Sequence, residues 1–175
     1  MGNEHLEHLS REQLMDLVNV YSKNWLALDG LWFQSVEKEQ GMDAAMRHDV
    51  DVWRVYTAIE ARRLKQFLGL SERPGLEGLM RAMDLRFNAH HNRHEFVREG
   101  ENAVVFRTVY CRVQDTRARK GMPLHPCEQV GEVEFGEFAR AIDDRIRCER
   151  VSCYPHITDD SCNCAWRFTV EGVNT

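Results

Sequence analysis

The chain has 175 residues, 43% apolar and 29% charged, enough for one domain with its own core; a linker, a repeat array or a disordered tail is excluded. Asp and Glu number 28 against 23 Lys and Arg, a net charge of -5, so the broad attraction that nucleic acid needs is missing. There is no run of roughly 18 apolar residues, and the opening MGNEHLEHLSREQ is charged where an export signal is apolar, so a cytoplasmic protein with no membrane partner is expected. Leu6 stands where a myristoylation signal wants Ser or Thr, which removes that reading of Gly2.

Ser10 and Gln13 form a capping box, and Leu14, Leu17, Val18, Tyr21, Trp25, Leu28, Trp32 and Val36 follow at helical spacing as far as Gly41, as one helix or two. A second helix is predicted from Met46, Val50, Trp53, Thr57, Ala61, Leu64 and Leu68, closed by the breaker SERPG. Leu76, Leu79, Met80, Met83 and Phe87 predict a third. Beyond residue 94 the period falls to two: EFVR, the turn EGEN and AVVFRTVYCRVQ read as a hairpin with Val105, Val109, Cys111 and Val113 on one face. A helix is expected between Glu134 and Arg147, then a strand presenting Cys164, Trp166, Phe168 and Val170 on one face. The order implies a single α+β domain over 1–175, its helical part at about 10–92 packed on a small antiparallel sheet at about 93–172.

The six cysteines, Cys111, Cys127, Cys148, Cys153, Cys162 and Cys164, all fall within 54 positions, with none before residue 111. In a reducing compartment such a cluster points to a metal or to reactive thiols before disulfides, although small thiols on apolar strand faces also serve as core. His90, His91 and His94 have spacings that one helix could turn into a metal site, with solvated histidines as the alternative. Asp29 shares a helix face with Trp25, Trp32 and Val36, so it must find a partner such as Arg62 or Arg63, shift its pKa or line a wet cavity, with Asn24 and Glu37 near the same region. TRARKGMP reads as a basic loop in which Arg117, Arg119 and Lys120 could hold a carboxylate.

The segment HPCEQVGEVEFGEFARAIDDRIRCERVSCYPHITDDSCNCAW resembles the end of the 4-vinyl reductase domain, which is similar in turn to vesicle-tethering subunits. NWLALDGLWFQSVEKEQGMDAA, CRVQDTRARKGMP and CAWRF resemble a cytosolic family grouped near L-2-amino-thiazoline-4-carboxylate hydrolases. The first resemblance implies N-terminal helices on an antiparallel sheet and a structural zinc held by Cys127, Cys153 and Cys164; Glu149 is poorly spaced as fourth ligand, and Cys111 is favoured, with Cys148 and Cys162 open. The expected function is a zinc-stabilised small-molecule-binding domain whose pocket lies between the aromatic helices and the sheet. Trp25, Trp32 and Asn24 would line it and Arg117, Arg119 and Lys120 would neutralise a carboxylated or aromatic ligand. The alternatives are a hydrolase of a small cyclic amide or thiazoline carboxylate with Asp29 catalytic, and an iron-sulfur or redox protein; a homodimer is an open arrangement.

Overall fold

The Gln13 N–H donates to the Ser10 hydroxyl at 3.1 Å and the Ser10 N–H to the Gln13 side-chain carbonyl at 2.8 Å, so the capping box forms as read. In the computed structural model, which describes residues 3–171, a short α1 (Glu4–Glu7) precedes it and α2 (Arg11–Gln40) then runs as one helix. Gly2 and residue 172, the far end of the expected sheet part, lie outside the described residues. Gly41, at φ 86°, turns the chain into α3 (Met42–Phe67) in a conformation that costs a residue without Cβ little. α4 (Gly75–Met83) follows. Residues 84–92 are turns and His94 lies in the first strand, bonded to Asp84 at 2.8 Å, so His90, His91 and His94 do not share a helix.

Strands β1 (Arg93–Arg98), β2 (Ala103–Tyr110), β3 (Ile146–Cys153) and β4 (Cys164–Val170) form one antiparallel sheet in the order β1-β2-β4-β3. The fold is α+β, with helices N-terminal and sheet C-terminal. Three expected boundaries move: α4 stops at Met83, so Phe87 lies in the turns that follow it. The hairpin strand ends at Tyr110 because the N–H of Cys111 turns to Asn163 Oδ1 and that of Arg112 to Asn92 Oδ1, both at 2.9 Å; α5 (Arg112–Arg119) begins there, so Val113 is helical. The next helix, α6 (Glu128–Ile142), starts before Glu134 and stops at Asp143. The buried Asp143 carboxylate accepts from the Gly75 N–H at the start of α4 and from Arg145, whose guanidinium holds it down at about 2.

Cys164, Trp166, Phe168 and Val170 do share a face, and it is the buried one. Val104 and Phe106 of β2 join it, and Phe135, Phe138 and Ile142 of α6 pack over it with Leu79 of α4. Burying a side chain of the size of Phe138 or Phe168 contributes about 2–3 kcal/mol, so this layer carries the fold. α3 packs on the outside of α6, and α2 on the outside of α3. The aromatic helix therefore stands two layers from the sheet, and the expected cavity between them is occupied by α3 and α6. Polar ties hold α2 near its middle, where Ser22 Oγ meets His91 Nε2 at 2.8 Å, and near its end, where Glu37 meets Arg117.

Candidate functional site at the start of α6

Cys127 is the cap residue at the N-terminus of α6, beside the unpaired N–H groups and positive dipole end of a 15-residue helix. Three groups surround its sulfur. Gln114 Nε2, from α5, donates to it at 3.1 Å; His125 Nδ1 lies 3.3 Å away; the His125 carbonyl is at 3.2 Å and accepts from the thiol form. On the far side of the ring, His125 Nε2 stands 3.3 Å from Asp49 Oδ2 of α3. Asp49, His125 and Cys127 thus follow one another as carboxylate, imidazole and thiol, the Asp49 contact being an ion-pair approach without the alignment of a hydrogen bond.

The imidazole is fixed in place by its surroundings. Gln114 pairs with the His125 backbone in both directions, its Nε2 donating to the carbonyl at 2.7 Å and its Oε1 accepting the N–H at 3.0 Å. The Phe33 ring of α2 covers the imidazole with centroids 4.6 Å apart. Arg117 then secures the connection before His125: it donates to the Pro123 carbonyl and makes a two-pronged ion pair with Glu37 at 2.9 and 2.6 Å. That pair holds the Glu37 carboxyl below its usual range, chiefly through the hydrogen bond from Arg117.

Behind Cys127 the sheet supplies two more thiols. Cys153 and Cys164 face one another as the last register pair of β3 and β4. The neighbouring Cys127, with burial, pushes the Cys153 thiol up to about 12, and Cys153, with burial, holds Cys164 well above the ordinary thiol value. Both back thiols therefore keep their protons at neutral pH. The three cysteines singled out in the sequence come together here. Cys111 caps α5, and burial pushes its thiol up to about 11. Cys148 faces the core beside Phe168 and Cys162 packs on the opposite face of the sheet with Val105 and Ala165. Three thiols and an imidazole have the soft chemistry of a zinc site, but among the described residues no group of three or more His, Cys, Asp or Glu closes on a common point as an ion requires.

Asp29 looks into the same region from α2. It is half-buried, and among the described residues no Lys or Arg forms an ion pair with it; Arg62, one expected partner, donates instead to the Ala58 carbonyl. Burial, with Asp49 and Glu134 close by, raises its carboxyl to about 6, against a smaller opposing effect of His125. An acid with a raised folded pKa binds more protons folded than unfolded, so its destabilising effect grows as pH rises from about 4 to about 6 and is fully present above that. Asp29→Asn is expected to raise stability at pH 7 by about 1–2 kcal/mol, after allowing for partial exposure, and to leave it nearly unchanged at pH 4. Thermal melts of the two proteins across that range check this; a variant less stable at pH 7 contradicts it.

The remaining expected site residues separate. Trp25 stacks on Tyr56 but is 45% exposed, Trp32 is 69% exposed, and Asn24 is on the surface. Arg117 is buried and bound by Glu37, Arg119 pairs with Asp115 of its own helix, and Lys120 is exposed at the end of α5, so the trio is no substrate clamp. An open groove of about 420 Å³ instead flanks Cys127, lined by Met46, Arg47, Pro126, Glu128, Gln129 and His156 among others. Asp49, Gln114 and His125 escaped the sequence reading. His125, two residues before Cys127 in HPC, was visible as a His-x-Cys spacing; Asp49 and Gln114 are joined to it only by folding. No curated protein and no solved structure matches the chain. Residues 7–170 match the profile of a family of unknown function, DUF6125, and the chain belongs to that family.

Proposed function

We propose that the protein is a hydrolase of a small cyclic amide or thiazoline carboxylate that uses Cys127 as nucleophile, His125 as base and Asp49 as the group that orients the imidazole. The observation that carries the reading is the line from Asp49 Oδ2 to His125 Nε2, 3.3 Å, and from His125 Nδ1 to Cys127 Sγ, 3.3 Å, at a helix N-terminus. His125 takes the thiol proton, the sulfur attacks the electrophilic carbon, and the imidazolium returns the proton to the departing nitrogen or sulfur. Water, deprotonated by His125, then releases the product and regenerates the thiol. Gln114 Nε2 and the first turn of α6 favour negative charge on the sulfur. Arg47 in the adjoining groove is the cation suited to a substrate carboxylate.

At neutral pH, iodoacetamide should alkylate Cys127 ahead of the other five cysteines, and His125→Ala should slow that reaction by roughly 10²-fold. Cys127→Ala should abolish turnover of 2-aminothiazoline-4-carboxylate as test substrate while the melting temperature changes little. Equal alkylation of Cys127 with and without His125 overturns the reading. The run of thiols through Cys127, Cys153 and Cys164 favours a second reading, a zinc-stabilised small-molecule-binding domain. In that case native protein carries about one zinc per chain, Cys127 resists alkylation, and replacing all three cysteines with Ser removes the metal. An iron-sulfur cluster would announce itself by visible absorption.

A further inference from the structure

α2 carries two stripes at helical spacing, and only one is covered. Ser22, Leu26, Asp29 and Phe33 turn inward. Leu14, Val18, Tyr21, Trp25, Leu28 and Trp32 recur at alternating steps of four and three residues, and each is between 40 and 69% exposed. This alternation is that of a coiled-coil seam, in which each step returns the side chain to the same side of the helix. α3 leaves Val52 and Val55 open in the stretch that carries Tyr56, on which Trp25 stacks. The open apolar area is roughly 1,000 Å², above the few hundred Å² of the largest patch on a typical monomer and about the share one partner gives to a standard interface.

We propose that this seam is the interface of a homodimer in which two copies pack their α2 helices antiparallel. The side-chain sizes match their own reversal. Turned about the midpoint of the stripe, Leu14 meets Trp32, Val18 meets Leu28 and Tyr21 meets Trp25, so large faces smaller along the length; a parallel pair would set Trp on Trp and Val on Val, leaving gaps. Charge permits the approach. Between Leu14 and Trp32, Asp16 and Lys23 fall on the opposite side of the helix at 100° per residue and Asp29 turns inward, so two chains of net charge -5 meet without like charges at the seam. Lipid fits less well. α2 has Arg11, Lys23 and Lys38 against Glu12, Asp16, Asp29, Glu37 and Glu39, and lacks the basic border by which interfacial helices bind anionic membranes.

Sedimentation equilibrium of the full chain at micromolar concentration is expected to give twice the monomer mass of 20.5 kDa. Trp32→Glu and Leu28→Glu should each raise the dimer dissociation constant by at least about 100-fold with helical circular dichroism unchanged, while Phe67→Glu, exposed outside the seam, leaves it alone. In a mixture of Leu14→Cys and Trp32→Cys chains, cross-links between positions 14 and 32 support antiparallel packing; cross-linking of position 32 to itself contradicts it. A wild-type chain that sediments at 20.5 kDa overturns the proposal, as does a dimer that both glutamate variants leave intact. A monomer that co-sediments with phosphatidylcholine vesicles also overturns it and assigns the seam to lipid.

Discussion

Replacing Arg86 with Met is expected to lower stability by about 3–5 kcal/mol, because it leaves two buried carboxylates without their cation. Arg86 follows α4, and its side chain is 3% exposed. Its Nε donates to Glu60 Oε2 of α3 at 2.9 Å, and Nη1 lies 2.7 Å from Glu134 Oε1 of α6 without the alignment of a hydrogen bond. The guanidinium also lies over the Phe138 ring at 4.7 Å. Burial works against the charge, but Glu134 and Glu60 outweigh it and hold Arg86 protonated. One cation faces two carboxylates, and burial raises the Glu134 carboxyl above its ordinary range against the opposing pull of Arg86. The triple variant Arg86→Met, Glu60→Gln, Glu134→Gln should recover much of the loss, since a buried ion cluster contributes less than the cost of breaking it. Urea unfolding of the single and triple variants measures both. A single-variant loss under about 1 kcal/mol would show that water reaches the cluster.

Those three residues also show where sequence reading stops. Glu60 lies in α3, Arg86 in the turns after α4 and Glu134 in α6, and nothing in any one of these segments shows that the three charges meet. The same limit governs the candidate site. Cys127, Cys153 and Cys164 were legible because cysteines are few and their motif is local, whereas Asp49 and Gln114 are ordinary polar residues until α3 and α5 bring them to His125. Strand periodicity was legible in Cys164 to Val170, whose large apolar side chains alternate onto the main core face. Helix periodicity was misleading in α2. Leu14, Tyr21, Trp25 and Trp32 follow the 3.6-residue rule as well as any core stripe, yet the core takes Ser22, Leu26 and Phe33. An apolar stripe says that something covers a face and is silent on whether this chain or another does so. Asp29 was read as an acid that must find a partner, shift its pKa or line a cavity, and it was grouped with the tryptophans; a rotation of the helix by less than a quarter turn divides them.

Two glycines of α6 should respond to the same substitution with opposite signs. An alanine normally gains about 1 kcal/mol over glycine inside a helix, through lower backbone entropy in the unfolded chain. Gly136 has no heavy atom within 4 Å of the position a Cβ would take, so Gly136→Ala should stabilise by about 0.5–1 kcal/mol. At Gly131 the Cβ would lie 2.4 Å from Trp166 Cζ2 and 2.9 Å from Cη2. Trp166 cannot yield: it is 1% exposed in β4, its ring is packed 5.1 Å from Phe135, and it occupies the centre of the sheet's buried face. Gly131→Ala should therefore destabilise by roughly 2–3 kcal/mol, the cost of overpacking less the helix gain. Thermal or urea unfolding of the two variants reads the difference, and a Gly131→Ala protein as stable as wild type would mean that α6 slides freely on the sheet. The sulfur site reports the same displacement. Cys127 lies one turn before Gly131, and its carbonyl accepts the Gly131 N–H at 2.7 Å. Lifting this turn off Trp166 draws Cys127 away from Cys153, so the alkylation rate of Cys127 should change in Gly131→Ala and stay at the wild-type value in Gly136→Ala.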